Sequence, residues 1–390
     1  MSYIGSKPAD AVLETDDIAD GVVTTSKLAD DSVTNPKLFT GSQQNFRNII
    51  INGDMSIAQR GTSASNVSTG YDTVDRFKIL RGAGQLNVSQ ETDAPSGSGF
   101  VKSFKVLEGS TGANPGASDT NRIQQIFEGQ NLQYLKKGTS SAESLTLSFW
   151  IKATVTGTYI AELYDLDNSR QISKSYTVSS ASTWEYKTIT FAGDTTGAFG
   201  NDNGDSMSVS LFLTAGSNFT SGTLSTSWSS ATTADRAVGQ VNALASANDF
   251  VQITGVQLEA GTSASDFEFL PYDVNLQRCQ RYYYLHARGA GQQIGNGSFY
   301  NSSDARCVIF FPTTMRSQPS IVSSNNTNDF RFLANGTSYY SPSVETPGGT
   351  NQFTMEAIYT PSLTGSPTGG HAFYLVCGNS TSLLAFNSEL

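Results

Sequence analysis

The sequence predicts an all-β protein: an extended N-terminal stalk, then a β-sandwich, then a smaller C-terminal β-sandwich. Three observations carry this. An apolar residue recurs at every fifth position near the N-terminus. Polar uncharged residues and aromatics fill the composition, without long runs of helical periodicity. Short alternating apolar segments recur between turns rich in Gly, Asn and Asp.

The stalk is marked by Leu13, Ile18, Val23, Leu28, Val33 and Leu38. Around them a ten-residue unit repeats, Ile18–Lys27 followed by Leu28–Lys37, with Ala-Asp, Val-Thr and Lys-Leu pairs in register. A period of five fits neither a helix nor a half-buried strand. It fits an extended chain that turns regularly at Asp-Gly and Asn-Pro. One apolar residue in five is too few to bury a core within a single chain, so neighbours must close over it. The simplest arrangement is three copies around a common axis. A polar linker with chance spacing is the alternative, and the aligned pairs argue against it. Residues 1–12, with Tyr3, Ile4 and Pro8, read either as an anchor that docks on a larger assembly or as a frayed end.

The 390 residues suffice for two or three domains. Hydrophobic residues make up 37% and charged residues only 15%, with 36 Gly, 22 Phe and 16 Tyr; this composition is that of a β-rich surface protein. The net charge of −10 repels phosphates and argues against a nucleic-acid partner. Cys279, Cys307 and Cys377 are an odd count without zinc spacing. Free thiols point to synthesis in a reducing cytoplasm, with a Cys307–Cys377 bridge as the alternative. No secretory leader is expected at the N-terminus, and no apolar run reaches the ~20 residues of a membrane span.

Taken in order, Phe46–Ile51 reads as a strand closed by the turn Asn52-Gly53-Asp54, followed by Tyr71–Phe77. Phe100–Val106 and Arg122–Phe127 read as strands, and Asn131–Lys137 as a helical turn. Leu145–Ala153 is the clearest strand, alternating and rich in β formers. Thr158–Tyr164, Trp184–Phe191, Met207–Thr214 and Phe250–Leu258 complete a sandwich over 46–272. A short helical piece is expected near Val241–Ala247. Residues 273–280 read as a connector into a smaller β-domain, 281–390.

Catalytic signals are weak. The two histidines, His286 and His371, lack a readable triad partner. An acid pair of a glycosidase type cannot be picked from 34 acidic residues. No phosphate-binding glycine loop is present. Asp165–Asn168 and Asp202–Asp205 have the oxygen-rich character of calcium loops but lack the later bidentate Glu, and turns made of turn formers are the favoured reading. No enzyme, metal or cofactor is expected. Sugar recognition needs aromatic faces beside neutral amides and hydroxyls. The last domain supplies Phe299, Tyr300, Phe330, Phe332, Tyr339 and Tyr340 among Asn, Ser and Thr, with half or more of these rings expected in the core. The receptor-binding set is Tyr339, Tyr340, Phe330 and Tyr300, with Tyr339-Tyr340 the pair expected at the surface. Tyr282–Tyr284 reads as strand and interface.

Three stretches together resemble bacteriophage tail-fibre proteins, especially short fibres of marine and cyanobacterial tailed phages. One is the Ala-Asp-x-x-Val-Thr-x-x-Lys-Leu repeat after Tyr3-Ile4-Gly5. Another is Asn48–Arg60 with Tyr71–Phe77 and Leu145–Lys152, similar to jelly-roll domains that look like carbohydrate-binding modules. The last is Ile253–Gly261 with Phe267-Glu268 and Cys279–Tyr284. The resemblance implies a homotrimer, held by its N-terminus to a tail or adaptor protein of the virion and meeting the host with its distal C-terminal domain. It transfers no receptor-binding residue. The implied activity is multivalent, non-covalent attachment to a host surface glycan or protein, without nucleic-acid binding or membrane insertion. The rivals are a structural virion fibre that binds no receptor and a polysaccharide depolymerase.

Overall fold

The computed structural model describes residues 46–344, 351–352, 354–359, 363 and 365–390. The anchor residues Tyr3, Ile4 and Pro8 and the stalk residues Leu13, Ile18, Val23, Leu28, Val33 and Leu38 lie outside them. Arg47–Leu390 forms one compact unit, and its architecture is all-β.

The first module contains β1 (Ser63–Ala64), β2 (Lys78–Leu80), β3 (Leu86–Glu91), β4 (Ser103–Glu108), β5 (Thr120–Glu128), β6 (Leu145–Ala153), β7 (Gly157–Asp165), β8 (Arg170–Val178), β9 (Glu185–Phe191), β10 (Asp205–Ala215), β11 (Ser229–Ser230) and β12 (Phe250–Ala260). They form two six-stranded antiparallel sheets. One has the order β1-β3-β4-β12-β6-β9, the other β11-β8-β7-β10-β5-β2. Alternation decides what each strand buries. Leu145, Leu147, Phe149, Ile151 and Ala153 of β6 face Met207, Val209, Leu211 and Leu213 of β10 in one shared core. Two short 3-10 turns, Gly129–Asn131 and Gln133–Leu135, stand where the helical turn is expected.

Two expectations need correction, and the connector gains a conformation. Phe46–Ile51 is not a strand. Asn48 accepts hydrogen bonds through Oδ1 from the amides of Ile50 (3.0 Å) and Leu258 (3.1 Å), and its amide donates to the Val256 carbonyl at 3.2 Å. The segment is thus pinned across the β-bulge of β12 between Thr254 and Gln257. Gly53 is required there, because a Cβ would sit 2.0 Å from the Val256 oxygen. Val241–Ala247 forms turns rather than a helix, with Leu244 fully buried and its amide capped by Asn242 at 3.1 Å. The connector is mostly a helix, α2 (Tyr272–Gln280), preceded by a four-residue α1 (Ser217–Thr220).

The second module contains β13 (Tyr283–Arg288), β14 (Gln293–Phe299), β15 (Ala305–Phe310), β16 (Ser320–Ser323), β17 (Phe330–Ala334), β18 (Thr337–Ser341), β19 (Thr354–Tyr359), β20 (Ala372–Cys377) and β21 (Leu383–Asn387). A three-stranded sheet, β13-β21-β16, packs with a six-stranded one, β18-β17-β20-β14-β15-β19. Its core is aromatic: Phe299, Phe330, Phe332, Phe373 and Phe386. All three cysteines are free and buried. Cys307 and Cys377 lie on strands that flank β14. Two strand spacings, about 9–10 Å, exceed disulfide reach.

Charged and aromatic groups join the modules. Arg281 grips Glu128 with two hydrogen bonds of 2.7 and 2.6 Å, and the Tyr282 hydroxyl donates to the same carboxylate at 2.5 Å. Burial alone would raise the Glu128 pKa, but these bonds and the Arg281 charge hold it below the usual carboxylate range. Arg76, fully buried, pairs with Glu389 and lies 3.5 Å over the Tyr282 ring, while Arg60 lies 3.7 Å over Tyr283. Tyr282–Tyr284 therefore lies partly at the module interface and partly in β13.

Candidate receptor-binding surface

The second module's six-stranded sheet has a closed inner face and an open outer one. On β15, Ala305, Cys307 and Ile309 point inward and are buried. Val308 and Phe310 point outward and are 51% and 73% exposed. On β17, Phe330 and Phe332 are buried, while Arg331 and Leu333 are half-buried. Register places Tyr340 opposite Arg331, Tyr374 opposite both Leu333 and Asn296, and Ser298 opposite Arg306. The outer face therefore carries Tyr340, Tyr374 and Phe310 with arginine, amide and hydroxyl neighbours.

Tyr300 follows β14 and is 63% exposed. The Arg306 guanidinium lies 4.1 Å from its ring centroid, a cation–π stack that orients the ring. The turn behind it is fixed by Asn301, whose Oδ1 accepts from the amides of Ser303 (2.7 Å) and Asp304 (2.8 Å).

The four sequence-selected residues thus separate. Tyr300 and Tyr340 belong to the outer face. Tyr339 stands opposite Phe332 and packs its ring 5.2 Å from Phe299, so it closes the core edge. Phe330 is 0% exposed and offers no surface to a ligand. Period-two alternation required one of Tyr339 and Tyr340 to turn inward. Sequence reasoning missed Val308, Phe310 and Tyr374. The alternation of 305–310 was the signal that could have found Val308 and Phe310, and that of 372–377 the signal for Tyr374.

The two histidines and the head of one supposed calcium loop are held by protein partners. His286 bonds through Nδ1 to the Tyr284 hydroxyl at 2.9 Å and through Nε2 to the Ile294 carbonyl at 2.8 Å; burial lowers its pKa. His371 shares a 3.0 Å bond with the Asn335 amide. Asp165, at the head of one supposed calcium loop, is occupied by a lysine. The buried Lys137 ammonium lies 2.5 Å from Asp165 and 3.0 Å from Asp194, and it donates to the carbonyls of Thr196 (2.8 Å) and Gly197 (2.7 Å). An ammonium with four oxygen neighbours does what a structural cation would do here. Among the described residues, His, Cys, Asp and Glu side chains form no group of three or more that could hold a metal. The pocket beneath Asn48, Asn52, Glu268 and Arg278 is about 10 Å³, room for roughly one water. Among the described residues, no helix is long and apolar enough to cross a membrane.

No protein-family model and no curated protein matches the chain. Among solved structures, the enzymatically active domain of tailspike protein 4 from bacteriophage CBA120 is similar at 13% identity and a TM-score of 0.32, over 55% of this chain and 22% of that one. A family 11 carbohydrate-binding module of a Clostridium thermocellum cellulosomal cellulase matches at 13% identity and a TM-score of 0.25, over 52% of this chain and 97% of the module. The baseplate tripod of bacteriophage Tuc2009 matches at 11% identity and a TM-score of 0.25, over 57% of each chain. The chain thus spans about a fifth of the tailspike's length. The sandwich assignment rests on the strand pairings themselves.

Proposed function

We propose that this chain is a trimeric bacteriophage tail fibre. Its N-terminal segment holds it to a tail or adaptor protein of the virion, and its C-terminal module recognises a glycan or protein on the host surface. The reading is supported by the fivefold apolar repeat, which calls for neighbouring copies, and by the resemblance of three stretches to tail fibres. The observation that carries it is the open outer face of the C-terminal sheet. Tyr300, Val308 and Phe310 are 63%, 51% and 73% exposed on it. Exposed aromatics on a rigid sheet, beside arginine and amide groups, have the chemistry of binding anchors.

The mechanism is reversible attachment without cleavage. Three copies per fibre, and several fibres per particle, raise the effective concentration of each site, so weak contacts add up to firm adhesion. No cofactor is called for, and the acidic charge disfavours nucleic acid. Assembly in the host cytoplasm followed by incorporation in the virion tail suits three buried free thiols.

Fluorescently labelled full-length chain should bind susceptible host cells, and Tyr300→Ala with Phe310→Ala should weaken that binding tenfold or more. Wild-type binding unchanged by both substitutions would remove the outer face from the account. Release of reducing ends from host polysaccharide would replace attachment with a depolymerase.

A further inference from the structure

The first module has a second open aromatic surface, on the sheet β1-β3-β4-β12-β6-β9. On β6 the inward residues are core, so Trp150 and Lys152 point outward. Register puts Trp150 opposite Tyr186 of β9, with the rings 5.4 Å apart. Trp184 lies two residues before Tyr186 and continues the same row. Two of the chain's three tryptophans thus belong to one outer face. Tyr186 is 46% exposed and both tryptophans are partly exposed.

Asp93, in the loop after β3, closes one end of this row. Its carboxylate accepts from Trp184 Nε1 at 3.3 Å and from Lys152 Nζ at 2.8 Å. Its backbone carbonyl accepts from Gln252 Nε2 at 3.0 Å and from Ser103 Oγ at 2.5 Å. Glu185 and Lys187, which pair at 2.6 Å, alternate with Tyr186 and turn to the opposite side of the sheet, where Glu185 accepts from the amides of Ser179 (2.9 Å) and Ser180 (2.7 Å). The surface is thus a row of rings with a carboxylate and an ammonium held in fixed positions. The charges nearest the rings on this face, Asp93 and Lys152, cancel as a pair.

We propose that Trp150, Tyr186 and Trp184 form a platform for an uncharged oligosaccharide, with Asp93 and Lys152 hydrogen-bonding its hydroxyls. Three features select that class. The C–H face of a pyranose is apolar and slightly positive, and it stacks on an electron-rich ring face. Ring hydroxyls both donate and accept, which a fixed carboxylate–ammonium pair satisfies together. The Asp93–Lys152 pair beside the rings has no net charge to draw an acidic or basic polymer onto them. The opposite sheet cannot serve, because residues 216–240 cover part of its outer face through Phe219, Leu224 and Ala237. This platform is independent of the C-terminal surface, and either could fail without the other.

The test is tryptophan emission of the full-length protein titrated with maltohexaose, cellohexaose, laminarihexaose and xylohexaose, with polygalacturonate as a charged comparison. Binding of at least one neutral hexasaccharide is expected, weakened more than tenfold by Trp150→Ala and by Tyr186→Ala and unchanged by Trp228→Ala. Calorimetry would confirm the loss where a tryptophan has been removed. Because Tyr186 projects into solvent, its variant should keep the wild-type melting temperature, which separates lost binding from lost folding. Binding of none of the four, binding only of polygalacturonate, or binding that survives both substitutions would overturn the proposal.

Discussion

The two outer faces of the first module were built from the same alternation and meet opposite fates. One, on β7 and β10, presents Ile160, Glu162 and Phe212, and the chain folds back over it. Phe212 and Ile160 are buried with Ala237 against Phe219 and Leu224. Arg236 clamps Glu162 with bonds of 2.6 and 2.7 Å, and Arg122 approaches the same carboxylate at 3.7 Å. The other face, on β6 and β9, keeps Trp150 and Tyr186 at the surface. The difference teaches where to look for function. A charged residue on the covered face is tied up in structure, whereas aromatics on the open face keep ring surface exposed to solvent.

That contrast can be broken by substitution. Glu162→Ala should have the largest effect, because it strands two arginines under the covering segment. Losing one partner of such a buried cluster costs about 3–5 kcal/mol, visible as a lower denaturant midpoint. Lys137→Met should follow at about 3 kcal/mol, since Asp165 and Asp194 would lose their ammonium while Arg170 still supports Asp194 at 2.7 Å. Chelators should leave the wild-type midpoint unchanged. Tyr186→Ala, on the open face, should shift the midpoint by less than about 1 kcal/mol. If Tyr186→Ala destabilised as much as Glu162→Ala, the distinction between the faces would be lost.

The module interface sharpens the comparison through pH. Burial would raise the Glu128 pKa, but the hydrogen bonds from Arg281 and Tyr282 and the Arg281 charge hold it below the usual carboxylate range. A depressed carboxylate contributes stability that is present above the unfolded value and lost as pH falls through the folded one. The wild type should therefore lose stability as pH drops below about 4.5, and Glu128→Gln should flatten that loss while lowering stability at neutral pH. An unchanged acid limb in the variant would contradict the role given to Glu128.

Legibility followed periodicity. Leu145–Ala153 was readable because its alternation matches a half-buried strand and its ends are turns. Phe46–Ile51 misled because β-branched residues there serve an irregular segment, held by Asn48 across a bulge some 208 to 210 residues away in sequence. The helix Tyr272–Gln280 was hidden by its weak apolar stripe, with only Asn275 and Cys279 buried. The candidate sites were half legible. Composition pointed to the aromatics of the last module, but only register separates Tyr340 from Tyr339 and Phe330. The Lys137 cluster joins residues from three separated segments, which no local motif can reveal.

The most direct test of the central claim is competition for phage adsorption. Purified full-length chain would be added to susceptible host cells before the phage, and free phage counted. The account predicts that adsorption falls with increasing protein, and that Tyr300→Ala with Phe310→Ala reduces the block. Undiminished adsorption at saturating protein, across susceptible hosts, would contradict receptor binding and leave a structural fibre.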